Sequence, residues 1–192
     1  TMYVFKDGNK VQPFVNPGDT SGAPILPNGL SFPLSLRGAD MISVSDTELL
    51  ISNSARMNGK IGWFHNFTGA DATSGGTERV HVTPIVRSGL VAWTTGLPQG
   101  ADPCTSNMSS RAYVAGITDA KSRVLSGSGL TKTTQPFLTI PEGDGVKMRV
   151  ITTKDGKDKL LIQTTDGKIR IVDADLTPGQ LGVNRLNWRE IK

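Results

Sequence analysis

The chain is poor in the residues that form cross-links, cross membranes or build helices. It contains a single cysteine, Cys104, so no disulfide can form within it and cysteine usage does not settle its redox compartment. No run of residues approaches the roughly 18 apolar positions that a transmembrane helix needs. No stretch shows a sustained 3.6-residue apolar period, and only residues 119–125 are predicted to form one helical turn. We therefore expect a fold built from strands.

Glycine and proline are plentiful, with 22 and 11 copies, which favours short strands separated by turns. The most regular pattern is a unit of two short apolar strands that occurs three times. In each copy the strands are separated by a turn or a polar insertion, which is typical of radial antiparallel architectures. The three predicted strand pairs are 47–53 with 60–67, 89–95 with 111–120, and 159–165 with 168–175.

The repeats predict an all-β fold, a fragment of a modified β-propeller with quinoprotein-like blades of short antiparallel strands. Residues 38–192 would form about three blades, whereas propellers typically close with four to eight. We therefore expect a fragment, although residues 1–37 or a partner could also complete the ring. Residues 1–37 are rich in proline and glycine and are interpreted as an irregular segment or a partial blade with one strand at 2–6.

The last repeat carries the clearest hairpin pattern. Strands are predicted at 146–152, 159–165 and 168–173, with tight turns at Asp155-Gly156 and Asp166-Gly167, because Asp-Gly between β-branched runs favours hairpin turns. Residues 79–87 also alternate between apolar and polar side chains. Pro84 cannot donate a ladder hydrogen bond, which indicates an edge strand or the start of a strand.

The net charge of +4 comes entirely from residues 147–192, which carry 10 basic and 6 acidic residues, while residues 1–146 carry 11 of each. The charges at 154–159 alternate in sign, which is typical of a solvated turn. Aromatic residues make up 6% of the chain and are not interleaved with arginine, so a nucleic-acid partner is not expected.

No catalytic, cofactor-binding or metal-binding residue is predicted. Asp155 with Asp158 and Asp173 with Asp175 resemble partial calcium loops, but Lys157 would repel the ion and turn chemistry explains both. His65 and His81 lie in strand patterns without the ligands or nucleophile that a zinc or catalytic site needs. The serine-glycine segments, such as 126–129, lack the spacing of a nucleophile elbow.

Several motifs resemble the C-terminal region of the PilC/PilY-type tip adhesins of bacterial type IV pili. Over residues 40–192 the order of the motifs is similar to that of the family. They are Gly62-Trp63-Phe64, Glu78-Arg79-Val80, Pro84 with Val86, Gly89 and Val91, Asp102-Pro103-Cys104, and a terminal Arg185-x-x-Trp188-Arg189-Glu190.

The resemblance implies export through the periplasm to the pilus tip or outer bacterial surface. It further implies roles in adhesion, pilus extension, twitching motility and virulence, with minor pilins and a host-cell or abiotic surface as partners. Calcium in the wider family is bound by an Asp-x-Asp-x-Asp-Gly loop that this chain does not contain, so no cofactor is expected here. The residues that bind a partner stay unassigned.

Two other functions remain open. A propeller enzyme of quinoprotein or glycosidase type would need clustered carboxylates or cofactor-contacting aromatic residues at a central channel. A generic propeller scaffold for protein contacts would need neither. We also expect Leu186 and Trp188 to pack inward and close the last blade, with Arg185 and Arg189 at the surface, because a buried indole would hold the terminus in place.

Overall fold

The structure is a computed structural model, and it describes twelve strands and parts of the connections between them. Four features of the sequence analysis lie outside the described residues: the predicted turn at Asp155-Gly156, His81, Cys104 and the terminal segment with Trp188. The described ranges are 1–5, 41–68, 77–80, 82–87, 89–98, 108–127, 131–141, 143–152, 154 and 158–175.

The all-β prediction is confirmed, since the described residues form twelve strands and no α-helix. One short 3-10 helix, Glu48–Leu50, is present. No helix in the described ranges is long and apolar enough to cross a membrane. The strands are β1 (Met2–Phe5), β2 (Met41–Val44), β3 (Gly62–His65), β4 (Ile85–Arg87), β5 (Leu90–Pro98), β6 (Met108–Gly116), β7 (Val124–Ser126), β8 (Thr133–Gln135), β9 (Leu138–Ile140), β10 (Gly145–Thr152), β11 (Asp158–Thr164) and β12 (Ile169–Val172).

The predicted C-terminal meander is confirmed as sheet 3, in which β10, β11 and β12 are consecutive antiparallel neighbours. The β11–β12 turn contains Asp166 and Gly167, as predicted. Gly167 has a φ of 78°, a conformation that glycine adopts without steric cost. The backbone N–H of Lys168 donates to Oδ1 of Asp166 (3.2 Å), and the Thr164 hydroxyl donates to the same oxygen. These bonds stabilise the turn from within its own sequence.

The second predicted strand pair is also confirmed, in sheet 2, with strand order β4-β5-β6-β9 and every pair antiparallel. Its central strands pair over nine positions, from Leu90 opposite Gly116 to Pro98 opposite Met108. A separate β7–β8 hairpin is inserted between β6 and β9. Pro84 directly precedes the edge strand β4, which agrees with a strand start, but the alternating run 79–87 forms a strand only from Ile85.

The predicted strand at 47–53 is wrong. This segment contains the 3-10 helix, because local polar groups satisfy its backbone. The backbone N–H of Ser45 donates to Oε2 of Glu48 (2.7 Å), and Nδ2 of Asn53 donates to the Glu48 carbonyl (2.9 Å). The predicted strand at 60–67 does form, as β3, but it pairs antiparallel with β1 and parallel with β2, and these three strands make sheet 1.

The predicted helical turn at 119–125 is also wrong. The chain turns at 117–119 and then runs extended into β7. Asp119 favours the turn because Oδ1 accepts the backbone N–H of Lys121 (3.1 Å) and Oδ2 pairs with Arg123 (2.8 Å). Such local side-chain bonds compete with helix formation.

Sheet 2 lies between the other two sheets, so the three are stacked face to face. One of its faces contributes Val91, Trp93, Tyr113 and Ala115 to a core shared with Val4, Ile42, Val44 and Trp63 of sheet 1. Its other face contributes Ala92, Ala112, Val114 and Ile140 to a core shared with Met148, Leu160, Ile162 and Val172 of sheet 3. The alternation of side chains along β5 and β6 thus supplies both cores.

Candidate functional site

The sheet 1–sheet 2 interface contains a buried carboxylate, Glu78, whose side chain is 0% exposed. Oε1 accepts hydrogen bonds from the Tyr113 hydroxyl (2.8 Å) and from the Thr95 hydroxyl, and Oε2 lies 3.0 Å from Nη1 of Arg111. Three donors on neighbouring strands therefore hold one carboxylate. A buried charge is tolerated only with such partners.

The strand register explains why these groups meet. Thr95 and Arg111 are direct cross-strand partners on β5 and β6, and Tyr113 is two residues along on the same face. Glu78 is brought to that face because Arg79 forms a two-hydrogen-bond bridge with Gly96, of 3.0 Å and 2.8 Å. The position of the acid is thus set by backbone pairing.

Aromatic rings enclose this polar group, which we call the Glu78 cluster (Glu78, Thr95, Arg111 and Tyr113). Phe137 lies against it, with its ring centroid 5.5 Å from that of Tyr113 and 4.2 Å from the guanidinium carbon of Arg111. Burial and the adjacent Glu78 carboxylate raise the pKa of Tyr113 far above its ordinary value, so the phenol stays a donor. Burial alone would lower the pKa of Arg111, but attraction to Glu78 raises it.

A second pair, His65 and Asp46, lies at the end of β2 and β3. His65 is fully buried, and its Nδ1 donates to the carbonyl oxygen of Val44 over 2.7 Å. Its Nε2 lies 3.2 Å from Oδ1 of Asp46, whose other oxygen accepts the Thr68 hydroxyl (2.8 Å). Burial alone would raise the pKa of Asp46, but the facing groups of His65 and Thr68 outweigh burial and lower it.

The sequence placed His65 in a strand, and that placement is correct. It did not pair His65 with Asp46, because the two are remote in sequence and meet only through the parallel pairing of β2 with β3. The Glu78 cluster was missed because its members are also distant in sequence and meet only through the register of β5 with β6 and the bridge from Arg79 to Gly96. The only sequence signal was that Glu78 opens the Glu-Arg-Val motif, which carried no assigned role.

The candidate calcium pair has other partners. Asp173 accepts a hydrogen bond from Nζ of Lys132 (3.1 Å), and the backbone N–H of Asp175 donates to the carbonyl oxygen of Arg123 (2.8 Å). These residues tie the end of β12 to the β7–β8 hairpin. Within the described ranges no three His, Cys, Asp or Glu side chains are grouped as metal ligands would be.

The side of sheet 3 that faces away from sheet 2 forms a third feature, which we call the outer face. Side chains alternate along the strands, so the residues beside the buried Met148, Leu160, Ile162 and Val172 point outward. The outer face consists of Lys147, Arg149 and Ile151 of β10, Lys159, Leu161 and Gln163 of β11, and Ile169 and Ile171 of β12.

Three isoleucines of the outer face are strongly exposed: Ile151 by 40%, Ile169 by 66% and Ile171 by 54%. Clustered exposed aliphatic residues on one sheet are typical of a contact surface, whereas single ones are common anywhere.

Comparison of the chain with protein-family models, with curated proteins and with solved structures gives no match.

Proposed function

We propose that this chain is a binding module of a type IV pilus tip adhesin of the PilC/PilY type. Its role would be surface attachment, pilus extension and twitching motility at the outer bacterial surface. The observation that carries the proposal is that sheets 2 and 3 stack face to face, and each is a meander of antiparallel strands that follow one another in the chain apart from the β7–β8 insertion. Neighbouring propeller blades have this arrangement.

Two motifs of the family resemblance also support the proposal, because both lie in the interface between sheets 1 and 2. Glu78 of Glu-Arg-Val is the acceptor at the centre of the Glu78 cluster. Trp63 of Gly-Trp-Phe is fully buried, and its indole N–H donates to the carbonyl oxygen of Ile117 over 3.0 Å. These residue types therefore have physical roles in joining successive sheets.

The burial and hydrogen bonding of Glu78 favour a binding function over catalysis. A general acid or base must reach substrate, but the Glu78 side chain is inaccessible and is held by three donors. The exposed aliphatic and basic outer face of sheet 3 offers the contact chemistry of a protein interface.

The test is deletion of the segment encoding this chain from the gene of its source bacterium. We expect smaller twitching zones, fewer sheared surface pili and weaker attachment, all restored by the wild-type gene. Immunogold labelling should place the protein at pilus tips. Normal twitching and attachment, with the protein retained in the cytosolic fraction, would contradict the proposal and favour an intracellular scaffold.

A further inference from the structure

The outer face of sheet 3 combines exposed aliphatic side chains with basic side chains, and the two kinds lie mainly on different strands. Cross-strand pairing places Arg149, Leu161 and Ile171 side by side, and Lys147, Gln163 and Ile169 in the next row. The basic side chains thus lie on β10 and the most exposed isoleucines on β12. Lys159, opposite Ile151, adds a third positive charge.

The outer face continues a stack that the molecule already builds. Both faces of sheet 2 are covered by other sheets, and the inner face of sheet 3 uses aliphatic residues such as Leu160 and Ile162 for this contact. Ile169 and Ile171 are the same kind of residue on the opposite face of the same sheet. Within the described ranges no sheet covers them. An aliphatic, pleated surface matches another sheet packed about 10 Å away.

The charges of the outer face determine which kind of sheet can pack against it. The described side chains of the outer face carry three positive charges and no negative one, and Asp173, the next outward residue after β12, is paired with Lys132. A second copy of this chain would bring three further positive charges into the same interface as Lys147, Arg149 and Lys159, which is unfavourable. The surface has no aromatic residue on which nucleic-acid bases could stack.

We propose that the outer face is the docking surface for a partner protein that presents an aliphatic β-sheet face with acidic residues opposite Lys147, Arg149 and Lys159. The aliphatic side chains would exclude water from the interface. The charge pairs would set the register of the two sheets and select the partner. This inference stands on the sheet stack and its charges. It does not depend on the pilus assignment, which is tested by twitching and tip labelling.

The test is photo-cross-linking of the full-length protein in cells of its source organism. The photoreactive residue p-benzoylphenylalanine replaces Ile171 or Ile151 in the outer face, or Ile51 as a control that is 59% exposed and follows the 3-10 helix. We expect a protein cross-link from positions 171 and 151 and none from position 51. Mass spectrometry should locate it in a partner segment that alternates aliphatic with acidic residues.

Affinity for the purified partner gives the second measurement. The variant Lys147→Glu/Arg149→Glu should lower affinity at least tenfold, and lysine at the partner's acidic positions should restore it. The matched control is Lys60→Glu/Lys121→Glu, which makes the same charge change outside sheet 3 and should bind normally. Circular dichroism and thermal unfolding check that both variants fold.

Several results would overturn the inference. These are equal cross-linking from position 51, no cross-link from the outer face, or cross-links only to a second copy or to another segment of the same polypeptide. Affinity that is insensitive to the Lys147/Arg149 reversal would also overturn it. A last contradicting result concerns phosphatidylglycerol vesicles and single-stranded DNA. If the purified chain bound either one and Ile169→Ser/Ile171→Ser abolished that binding, the surface would serve a lipid or a nucleic acid.

Discussion

Trp93 and Tyr113 lie face to face across the central strand pair of sheet 2, with their ring planes 2° apart and their centroids 4.8 Å apart. They are direct cross-strand partners on β5 and β6, and both are fully buried. The stack joins the Glu78 cluster, through Tyr113, to the apolar core shared with sheet 1, where the ring of Trp63 lies 6.1 Å from that of Trp93.

Removal of the Trp93 ring should strongly destabilise the protein. We expect Trp93→Ala to lower the free energy of unfolding by about 3–5 kcal/mol. Trp93→Phe should cost less than half as much, because it keeps an aromatic stack and removes an indole N–H that has no hydrogen-bond partner in the described part of the chain. Urea denaturation measures both. Equal costs would show that the stack with Tyr113 contributes nothing.

Glu78 should be needed mainly to neutralise Arg111. Glu78→Gln should cost about 2–4 kcal/mol, somewhat below the usual cost of breaking a fully buried pair, because Arg111 is 21% exposed. The double variant Glu78→Gln/Arg111→Met should regain part of that loss. The control is Glu48→Gln, which breaks an exposed pair with Arg56 and should cost less than about 1 kcal/mol. A double variant less stable than Glu78→Gln would contradict this account.

Asp46 should contribute to acid sensitivity. Its folded-state pKa is lower than that of the unfolded chain, so its stabilising effect is complete above the unfolded pKa of about 4 and is lost as the pH falls through the folded value. The stability difference between wild type and Asp46→Asn should therefore be largest near neutral pH and shrink in acid.

Denaturation of both proteins between pH 7 and pH 2 measures this effect. Some acid dependence should remain in Asp46→Asn, because the pKa of Asp166 is also lowered, to about 2, by hydrogen bonds from Thr164 and Lys168. A stability difference that is constant across the range would mean that Asp46 does not titrate with folding.

Gly62 should tolerate no side chain. A Cβ at this position would lie 2.0 Å from the backbone carbonyl oxygen of Val4, so Gly62→Ala must separate β1 from β3. We expect a cost of about 1–3 kcal/mol, with faster amide hydrogen exchange in β1 and unchanged exchange in β11. Gly167→Ala is the control, since its Cβ would meet nothing within 4 Å and only its φ of 78° is strained. Unchanged exchange in β1 would contradict the prediction.

The terminal segment stays a prediction. If Trp188 packs inward together with Leu186, then Trp188→Ala should lower the free energy of unfolding by about 3–5 kcal/mol. Urea denaturation of this variant is the measurement. A loss below about 1 kcal/mol would indicate that the segment is available to bind a partner as a peptide.

The sequence predicted best those elements whose partners are close along the chain. The β11–β12 hairpin follows from Asp166-Gly167 and two β-branched runs, since its turn and its register are both local. The β5–β6 pair was predicted across its insertion because both strands are long and apolar.

Prediction failed where local polar bonds or distant pairing decided the outcome. Glu48 and Asn53 hold residues 47–53 out of a strand, although Leu49, Leu50 and Ile51 resemble one. β2 was not predicted because its parallel partner, β3, lies beyond an intervening crossover. The Glu78 cluster likewise depends on the register of β5 with β6 and on the bridge from Arg79 to Gly96, neither of which is visible in a single sequence.

The pairing of β1 with β3 has a consequence for the order in which the chain folds. Met2 is opposite His65, a third of the chain away, whereas β11 and β12 are joined by a short turn. Closing a long loop costs entropy before its contacts form, so local hairpins assemble sooner. In refolding, the β11–β12 hairpin therefore forms early, and β1 pairs with β3 only after the long loop between them has closed.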